Sequence, residues 1–492
     1  MDTIYLVGSL ILIAVVLAAV WLDRWSVPTI LIALGTGIIF GSDVLKFWDF
    51  DNMELTNQIA NLALIFILFF GGFSTKKANL KAAALPAIGL ATWGVALTAL
   101  ASFCALHILF KWSFEEALLI SVIVSSTDAA AIFSIMHRQP LEKKLSSTIE
   151  IESAANDPMA ILLTLTAIGM LTTDNMSWLE TGGSFLWQFC AAPILAYGIA
   201  RAAIWLFNHL SPQDRGHYYV LTLGLIFLVY GLAQFIHSSG MLAIFVAGYV
   251  VGNRPFVHKQ GVENFSAAFA TIANIGMFVL LGLQVFPHEW DDIWQQGIVL
   301  FVVITFIARP FAVWVGSLGM RLGWRNKLFI SWAGLRGAVP IVLATYPAMN
   351  GIGTGNKIFN LVFFAVLLSI AIQGSTLGWL ARFLGLNTLP RPQPLFNLEL
   401  ITMAASDFDL IVVDLPGPAN IPGPKISDLQ LPKGATITLI TRGRELVTPQ
   451  GSTQLLGWDQ VTVLAHAHEA ARIRAILMEA FSDDSKNTEY KV

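Results

Sequence analysis

The sequence is poor in charge and nearly devoid of cysteine. Only 12% of its 492 residues are charged, against 55% hydrophobic, and the mean hydropathy is +0.68. So few charges cannot cover a water-facing surface, and the chain reads as a polytopic membrane protein. Its two cysteines, Cys104 and Cys190, lie in apolar runs without metal-like spacing. They exclude a disulfide framework and read as packing residues. No HExxH or GxSxG motif and no nucleophile paired with a base is present, which argues against an intramembrane enzyme. A TVGYG-like carbonyl filter is missing too, which argues against a selective channel. A sensor that moves no ion stays open at this level. The net charge of −3 says nothing about partners, because in a membrane protein the placement of each sign matters. No cofactor and no nucleic-acid partner is expected.

What is present is a succession of long apolar windows. Thirteen reach the length needed to cross about 30 Å of hydrocarbon: 4–22, 27–45, 58–74, 84–110, 115–136, 147–171, 184–208, 218–236, 239–253, 266–286, 295–320, 327–349 and 358–384. The first is followed by Asp23-Arg24 rather than a small-residue cleavage site, so it is expected to be a span and not a signal. Alternate loops collect the basic residues, among them Lys76, Lys77, Arg138, Lys144, Arg254, Lys259 and Arg325. The other loops hold only Lys46, Lys111 and Lys357 amid acids such as Asp43, Glu115, Glu289 and Asp292. By the positive-inside rule the N-terminus is expected outside and the C-terminus in the cytoplasm.

The sixth window carries the stretch on which function depends. Thr148–Leu165 reads TIEIESAANDPMAILLTL and places Glu150, Glu152, Asn156 and Asp157 within the apolar layer. Ionisable groups at that depth cost a few kcal/mol each and mark ion sites or pathways. On a helix Ser153 and Asp157 share one face, and Glu152 and Asn156 the neighbouring one. Pro158 has no N–H to give, so the carbonyl of Ala154 loses its helical partner. A carboxylate, an amide, a hydroxyl and a free carbonyl thereby converge into an all-oxygen set suited to a hard monovalent cation. A polar seam joining two helices is the competing reading.

The fifth window contains Ser125-Ser126-Thr127-Asp128-Ala129-Ala130-Ala131. Asp128 lies about twelve residues, or ~18 Å, from the outer end, level with Asp157. Such a run suits a locally unwound helix, with Asp128 at a half-helix N-terminus and the Thr127 carbonyl facing the site. The twelfth window repeats the interruption as Gly334-Leu335-Arg336-Gly337-Ala338-Val339-Pro340, where Pro340 is expected to release the carbonyl of Arg336. An odd offset between the two windows gives them opposite orientations, as an inverted repeat requires. Arg336 serves either the site or the carbonyls of a broken helix. In the eleventh window Arg309-Pro310 puts an arginine at mid-span. It requires a carboxylate partner, for which Glu152 is favoured because that leaves Asp157 free.

After Leu384 the composition changes. Residues 385–397 form a proline-punctuated linker. β-like runs follow at Leu410–Leu415, Thr436–Arg442, Leu446–Thr448 and Gln460–Ala465, with a hairpin turn at Gly443-Arg444 and a helix over Glu469–Phe481. The fold expected is an all-α polytopic membrane protein of about thirteen helices with a small α/β cytoplasmic domain. The divisions are 1–384 for the membrane region, 385–397 for the linker, 398–481 for the cytoplasmic domain and 482–492 for a disordered tail.

Taken together, ESAANDP, STDAA, Arg309-Pro310 and GLRGAVP resemble the bacterial CPA1-class, NhaP-like sodium or potassium/proton antiporters over the whole membrane region. The pattern from Leu429 to Ala465 is similar to the TrkA-C (RCK-C) domain, a dimerising regulatory module, and its presence points toward the potassium/proton branch. The resemblance implies a homodimer in the bacterial inner membrane, with inverted repeats, crossed broken helices in the fifth and twelfth windows, and core and dimerisation subdomains. It makes Asp157 the shared binder of cation and proton, with Ser153 and the Thr127 carbonyl as further ligands. Asn156 and Asp128 stabilise the crossing, and Glu152 pairs with Arg309. K⁺ or Na⁺ and H⁺ are the implied substrates, exchanged one for one, and a small nucleotide is the implied ligand of the cytoplasmic domain. Two positions depart from the family pattern: Phe70 stands where relatives tend to have an acid, and Ala129 where they often have proline.

Overall fold

The structure, a computed structural model, describes residues 2–22, 28–41, 43, 45, 52–77, 89–128, 141–172, 178–210, 216–320, 322–386, 407–416, 422–443 and 445–484. Its apolar windows fold as helices because, away from water, each backbone N–H and C=O must find a partner within its own segment. In chain order these are α1 (Asp2–Leu22), α2 (Thr29–Phe40), α3 (Met53–Ser74), α4 (Leu90–Leu109), α5 (Phe114–Ile123), α6 (Lys143–Thr172) and α7 (Trp178–His209). They continue as α8 (Gly216–Phe235), α9 (Gly240–Gly252), α10 (Lys259–Leu283), α11 (Trp294–Gly316), α12 (Trp324–Trp332), α13 (Ala338–Met349) and α14 (Gly355–Phe383).

Eight helices among the described residues are long and apolar enough to cross a membrane, and four further apolar helices are shorter. The windows expected at 115–136 and 327–349 are not continuous helices. The first stops at Ile123, and its positions 129–136, Ala129 included, lie outside the described residues. The second divides into α12 and α13 around the non-helical residues 334–337. The division between α8 and α9 falls at His237-Ser238, where His237 adopts φ 55° and the Ser239 hydroxyl caps the Leu242 N–H. Residues in α4, α11 and α14 form π-helical turns, the last at Ser369–Gly374.

Helices α3 and α9 pack backbone to backbone. Gly72 abuts the Phe245 carbonyl, Gly248 the Phe69 carbonyl and Gly252 the Phe73 main chain, and a Cβ on any of them would collide with those atoms. Small residues at a helix interface allow this approach in an apolar solvent. Gly72, the second glycine after Phe70, thus has a packing reason of its own. A polar ladder joins α3 to α13: Asn57 Nδ2 donates to Thr345 Oγ1 at 2.6 Å, Asn61 Nδ2 to Asn57 Oδ1 at 2.7 Å, and the Tyr346 hydroxyl to Asn61 Oδ1.

The chain divides into two compact units, one of Met1–Leu206, Gly216–Pro255 and Val262–Thr388, the other of Phe207–Arg215, Phe256–Gly261 and Leu389–Val492. The second contains β1 (Phe408–Asp414), β2 (Pro422–Lys425), β3 (Thr436–Arg442), β4 (Glu445–Val447), β5 (Gln454–Leu456), β6 (Gln460–His466) and α15 (Ala470–Asp484). A four-stranded antiparallel sheet has the order β1-β6-β3-β4, and β2 pairs with β5. Alternating residues Ile411, Val413, Val461, Val463 and Ala465 turn one face onto Ile473 and Leu477 of α15. Arg442 is fixed by two hydrogen bonds to Asp459, at 2.9 and 2.8 Å. The sequence reading omitted β2 and β5: PGPK and QLL are too short and, in β2, too rich in proline to register as strands. Gly443 turns the β3–β4 hairpin with φ 59°, whereas Arg444 and 387–397 of the linker lie outside the described residues. The terminal helix runs to Asp484, three residues into the segment assigned to a disordered tail, and 485–492 are not described.

Candidate functional site

Helix α6 passes unbroken through Pro158 and presents Glu152, Ser153 and Asn156, all buried, from a single turn and a half. Asp157, on the same face as Ser153, keeps some accessible surface. The proline leaves the Ala154 carbonyl without its usual N–H partner, as covalent structure requires.

Helix α5 ends at Ile123, and Ser126, Thr127 and Asp128 follow without helical geometry. The turn of α6 holds Thr127 at three points. Asn156 Nδ2 donates to Thr127 Oγ1 at 2.7 Å, the Thr127 N–H donates to Asn156 Oδ1 at 3.4 Å, and Ser153 Oγ donates to the Thr127 carbonyl. The hydroxyls of Thr127 and Ser153 are 3.4 Å apart. Ser153, Asn156 and Thr127, chosen from sequence on two separate windows, are therefore in direct contact. The Ser126 side chain lies beside Asp157, and Asp128 is an electrostatic neighbour of the same carboxylate.

The non-helical residues between α12 and α13 pass against those after α5. The Asp128 N–H donates to the Leu335 carbonyl at 2.8 Å, and Arg336 Nη1 donates to the carbonyls of Ser125, at 3.1 Å, and Ser126. Arg336, fully buried, thus supplies donors to carbonyls that a continuous α5 would have paired. Two glycines make room for the passage. A Cβ at Gly337 would fall on the Asp128 side chain, and one at Gly334 on the side chain of Arg309. Pro340 has a different place from the one expected. It lies in the first turn of α13, where an N–H has no intrahelical partner anyway; the non-helical residues 334–337, and not Pro340, already take the Arg336 carbonyl out of the helical hydrogen-bond pattern.

Arg309 follows the π turn Val303–Ala308 and leads into Pro310. Its Nη2 stands 2.6 Å from Glu152 Oε1, with side-chain exposures of 4% and 1%. A second arginine, Arg336, is within electrostatic reach of both. Glu150 lies two residues before Glu152 and is only half-buried.

Sequence reasoning missed two residues that complete the arrangement. Ser369 Oγ accepts from the Arg336 N–H at 3.2 Å and donates to Gln373 Oε1 at 2.5 Å, and Gln373 Nε2 donates to the Trp332 carbonyl at 3.0 Å. The available signal was a buried amide within the apolar run SIAIQG of the thirteenth window. The π turn that carries it leaves no mark in composition.

Such a site, with polar oxygens of Ser153, Asn156 and Thr127 in mutual contact on the turn that carries a partly accessible carboxylate, and a crossing of two non-helical stretches, suits a carrier of small hard cations. Comparisons with known proteins agree. Residues 10–383 match the family described as "Sodium/hydrogen exchanger, transmembrane", and residues 410–478 match the TrkA-C domain. The K(+)/H(+) antiporter NhaP2 of Shewanella oneidensis is 33% identical over 486 residues, covering 98% of this chain and 84% of that protein. The K(+)/H(+) antiporter NhaP of Alkalimonas amylolytica is 31% identical over 483 residues, with the same coverages. Among solved structures, the sodium proton antiporter MjNhaP1 from Methanocaldococcus jannaschii, at pH 8, has the same membrane fold, with a TM-score of 0.68 at 22% identity, covering 78% of this chain and 99% of that one. The match over most of the membrane region, together with near full-length relatives above 30% identity, means that this chain belongs to the sodium/hydrogen exchanger family of multi-pass membrane antiporters.

Proposed function

We propose that the chain exchanges K⁺, with Na⁺ as a second substrate, for H⁺ at Asp157, one for one and without net charge movement. The observation that carries the reading is the division of labour among the buried ions. Arg309 is committed to Glu152 at 2.6 Å, while Asp157 retains some accessible surface one helical turn from Ser153 and next in the chain to Asn156, both of which hold Thr127. A carboxylate in an apolar layer needs a positive companion, and a proton and an alkali ion compete for the same oxygens. Occupancy by one excludes the other.

Charge balance supports the stoichiometry. Two guanidinium groups, Arg309 and Arg336, stand among three carboxylates, Glu152, Asp128 and Asp157. One proton or one monovalent cation makes the set neutral, whereas the unloaded set carries a net negative charge. Moving that charge past apolar walls is costly, so an unloaded return is disfavoured and exchange is coupled. In this reading Ser153 and the Thr127 carbonyl are cation ligands, Asn156 and Asp128 stabilise the crossing, and Arg336 serves the carbonyls of Ser125 and Ser126.

The same reading extends to architecture. Thirteen spans with inverted repeats put the N-terminus outside and the C-terminus in the cytoplasm of a bacterial inner membrane, supported by the segregation of basic loops. A core containing the crossed helices moves past a dimerisation region in a homodimer, and the TrkA-C domain regulates exchange on binding a small nucleotide. Potassium is preferred because the near full-length relatives are named K(+)/H(+) antiporters. The test is proton flux in reconstituted vesicles offered potassium, sodium, lithium and rubidium in turn, with the membrane current recorded. Flux with potassium and no current supports the proposal; a current that scales with flux contradicts the stoichiometry.

A further inference from the structure

Ser369 and Gln373 are polar residues in the most apolar part of α14, a helix apolar enough to cross a membrane, and each is only 2% exposed. An amide and a hydroxyl in such a place are retained only if they are hydrogen-bonded, and their partners here are not on their own helix backbone. Both reach the interrupted segment between α12 and α13. The Trp332 carbonyl closes α12 and lacks a helical N–H; Gln373 Nε2 supplies one at 3.0 Å. The Arg336 N–H lies in the non-helical stretch beyond; Ser369 Oγ accepts it at 3.2 Å. The two side chains are themselves joined at 2.5 Å. They form a splint across the break, anchored at both of its ends. The backbone from which they project is the π turn Ser369–Gly374, and π turns inserted in α-helices are frequent at functional positions.

The splint acts on the site through one residue. Fixing the Arg336 main chain fixes the origin of its side chain, whose Nη1 holds the Ser125 and Ser126 carbonyls. Among the described residues the Arg336 Nε and Nη2 atoms have no hydrogen-bond partner, and it is Nη1 that makes both of these contacts. Ser126 in turn lies beside Asp157. We propose that Ser369 and Gln373 are positioning residues for ion exchange, setting through Arg336 the place of Ser126 and Thr127 against Asp157 and hence the apparent affinity for the transported cation. This rests on the reading of Asp157 as the exchange site.

The experiment measures, in vesicles normalised to inserted protein, the apparent KM, the maximal rate and the pH profile of exchange, using whichever alkali ion gives the largest flux. Ser369→Ala removes one hydrogen-bonding group and is expected to raise KM about five-fold with the maximal rate near that of the unaltered protein. Gln373→Glu keeps the shape and the acceptor for Ser369 but cannot donate to Trp332 when ionised, and is expected to raise KM by a similar factor and move the pH profile. Ser369→Thr retains the hydroxyl and is expected to restore KM to within about two-fold. Thr376→Val, which removes the neighbouring bond from the Trp332 indole N–H at 3.0 Å, controls for ordinary packing and is expected to leave KM alone. The proposal is overturned if Ser369→Ala and Gln373→Glu lower yield or melting temperature while KM and pH profile stay fixed. Exchange that survives Asp157→Asn overturns it differently, by removing the site itself.

Discussion

Arg309 and Glu152 form an ion pair at 2.6 Å in which both side chains are almost wholly removed from solvent. Taking either partner away strands the other's charge in an apolar interior, which typically costs 3 to 5 kcal/mol, whereas replacing both with apolar groups is far milder. Glu152→Leu is therefore expected to yield little folded protein, and the double variant Glu152→Leu/Arg309→Met to recover most of it. Yield and melting temperature of the two in the same detergent check this. Equal losses in single and double variants would mean that the two charges are not coupled.

Gly337 leaves no space for a side chain, because Asp128 occupies it. Gly337→Ala is expected to push the two non-helical stretches apart, breaking the Asp128 to Leu335 bond of 2.8 Å, and to reduce exchange at least ten-fold. Gly323 has open space around its Cβ position, so Gly323→Ala serves as the control and is expected to transport normally. Flux per inserted molecule, measured for both, decides the matter.

The glycine contact between α3 and α9 predicts a different phenotype. Gly248→Ala places a methyl on the Phe69 carbonyl, and overpacking of this kind costs about 1–3 kcal/mol. The expected result is a lower melting temperature with apparent KM unchanged, since neither helix supplies an ion ligand in the proposed site. A change in KM at constant stability would mean that α3 takes part in binding.

Much of this site was legible because polar residues in an apolar sequence have few roles open to them. Glu150, Glu152 and Asp157 stood out on cost, Ser153 and Asn156 by sharing helix faces with Asp157 and Glu152, and the need of Arg309 for an acid left few candidates. The contact of Thr127 with Asn156 required only that the fifth and sixth windows be neighbours. The splint was harder to read. A π turn is a matter of one extra residue per turn, invisible to hydropathy, and Gln373 gains meaning only from the Trp332 carbonyl forty-one positions away. Pro340 misled for a related reason: a proline signals a missing N–H, but the chain uses it where none was needed, one turn after the break. In the sheet unit, alternation exposed β1, β3 and β6, while β2 and β5, of four and three residues, were below the length at which a period of two can be recognised.

The sheet unit folds around its own apolar cluster, from Ile411 to Leu477. Ending the chain after Leu389 is expected to leave exchange intact while removing its response to nucleotide or shifting its pH dependence. Flux in vesicles with and without added nucleotide, for full-length and shortened protein, checks this. Loss of exchange in properly inserted shortened protein would make the unit part of the transport machinery.

The central claim is that one carboxylate binds both ions. Asp157→Asn keeps the size and hydrogen-bonding capacity of the side chain but cannot hold a titratable proton or neutralise a cation. Proton flux driven by a potassium gradient in vesicles should fall to that of protein-free membranes, with the variant inserted at normal levels. Exchange persisting at even a tenth of the original rate would contradict the account.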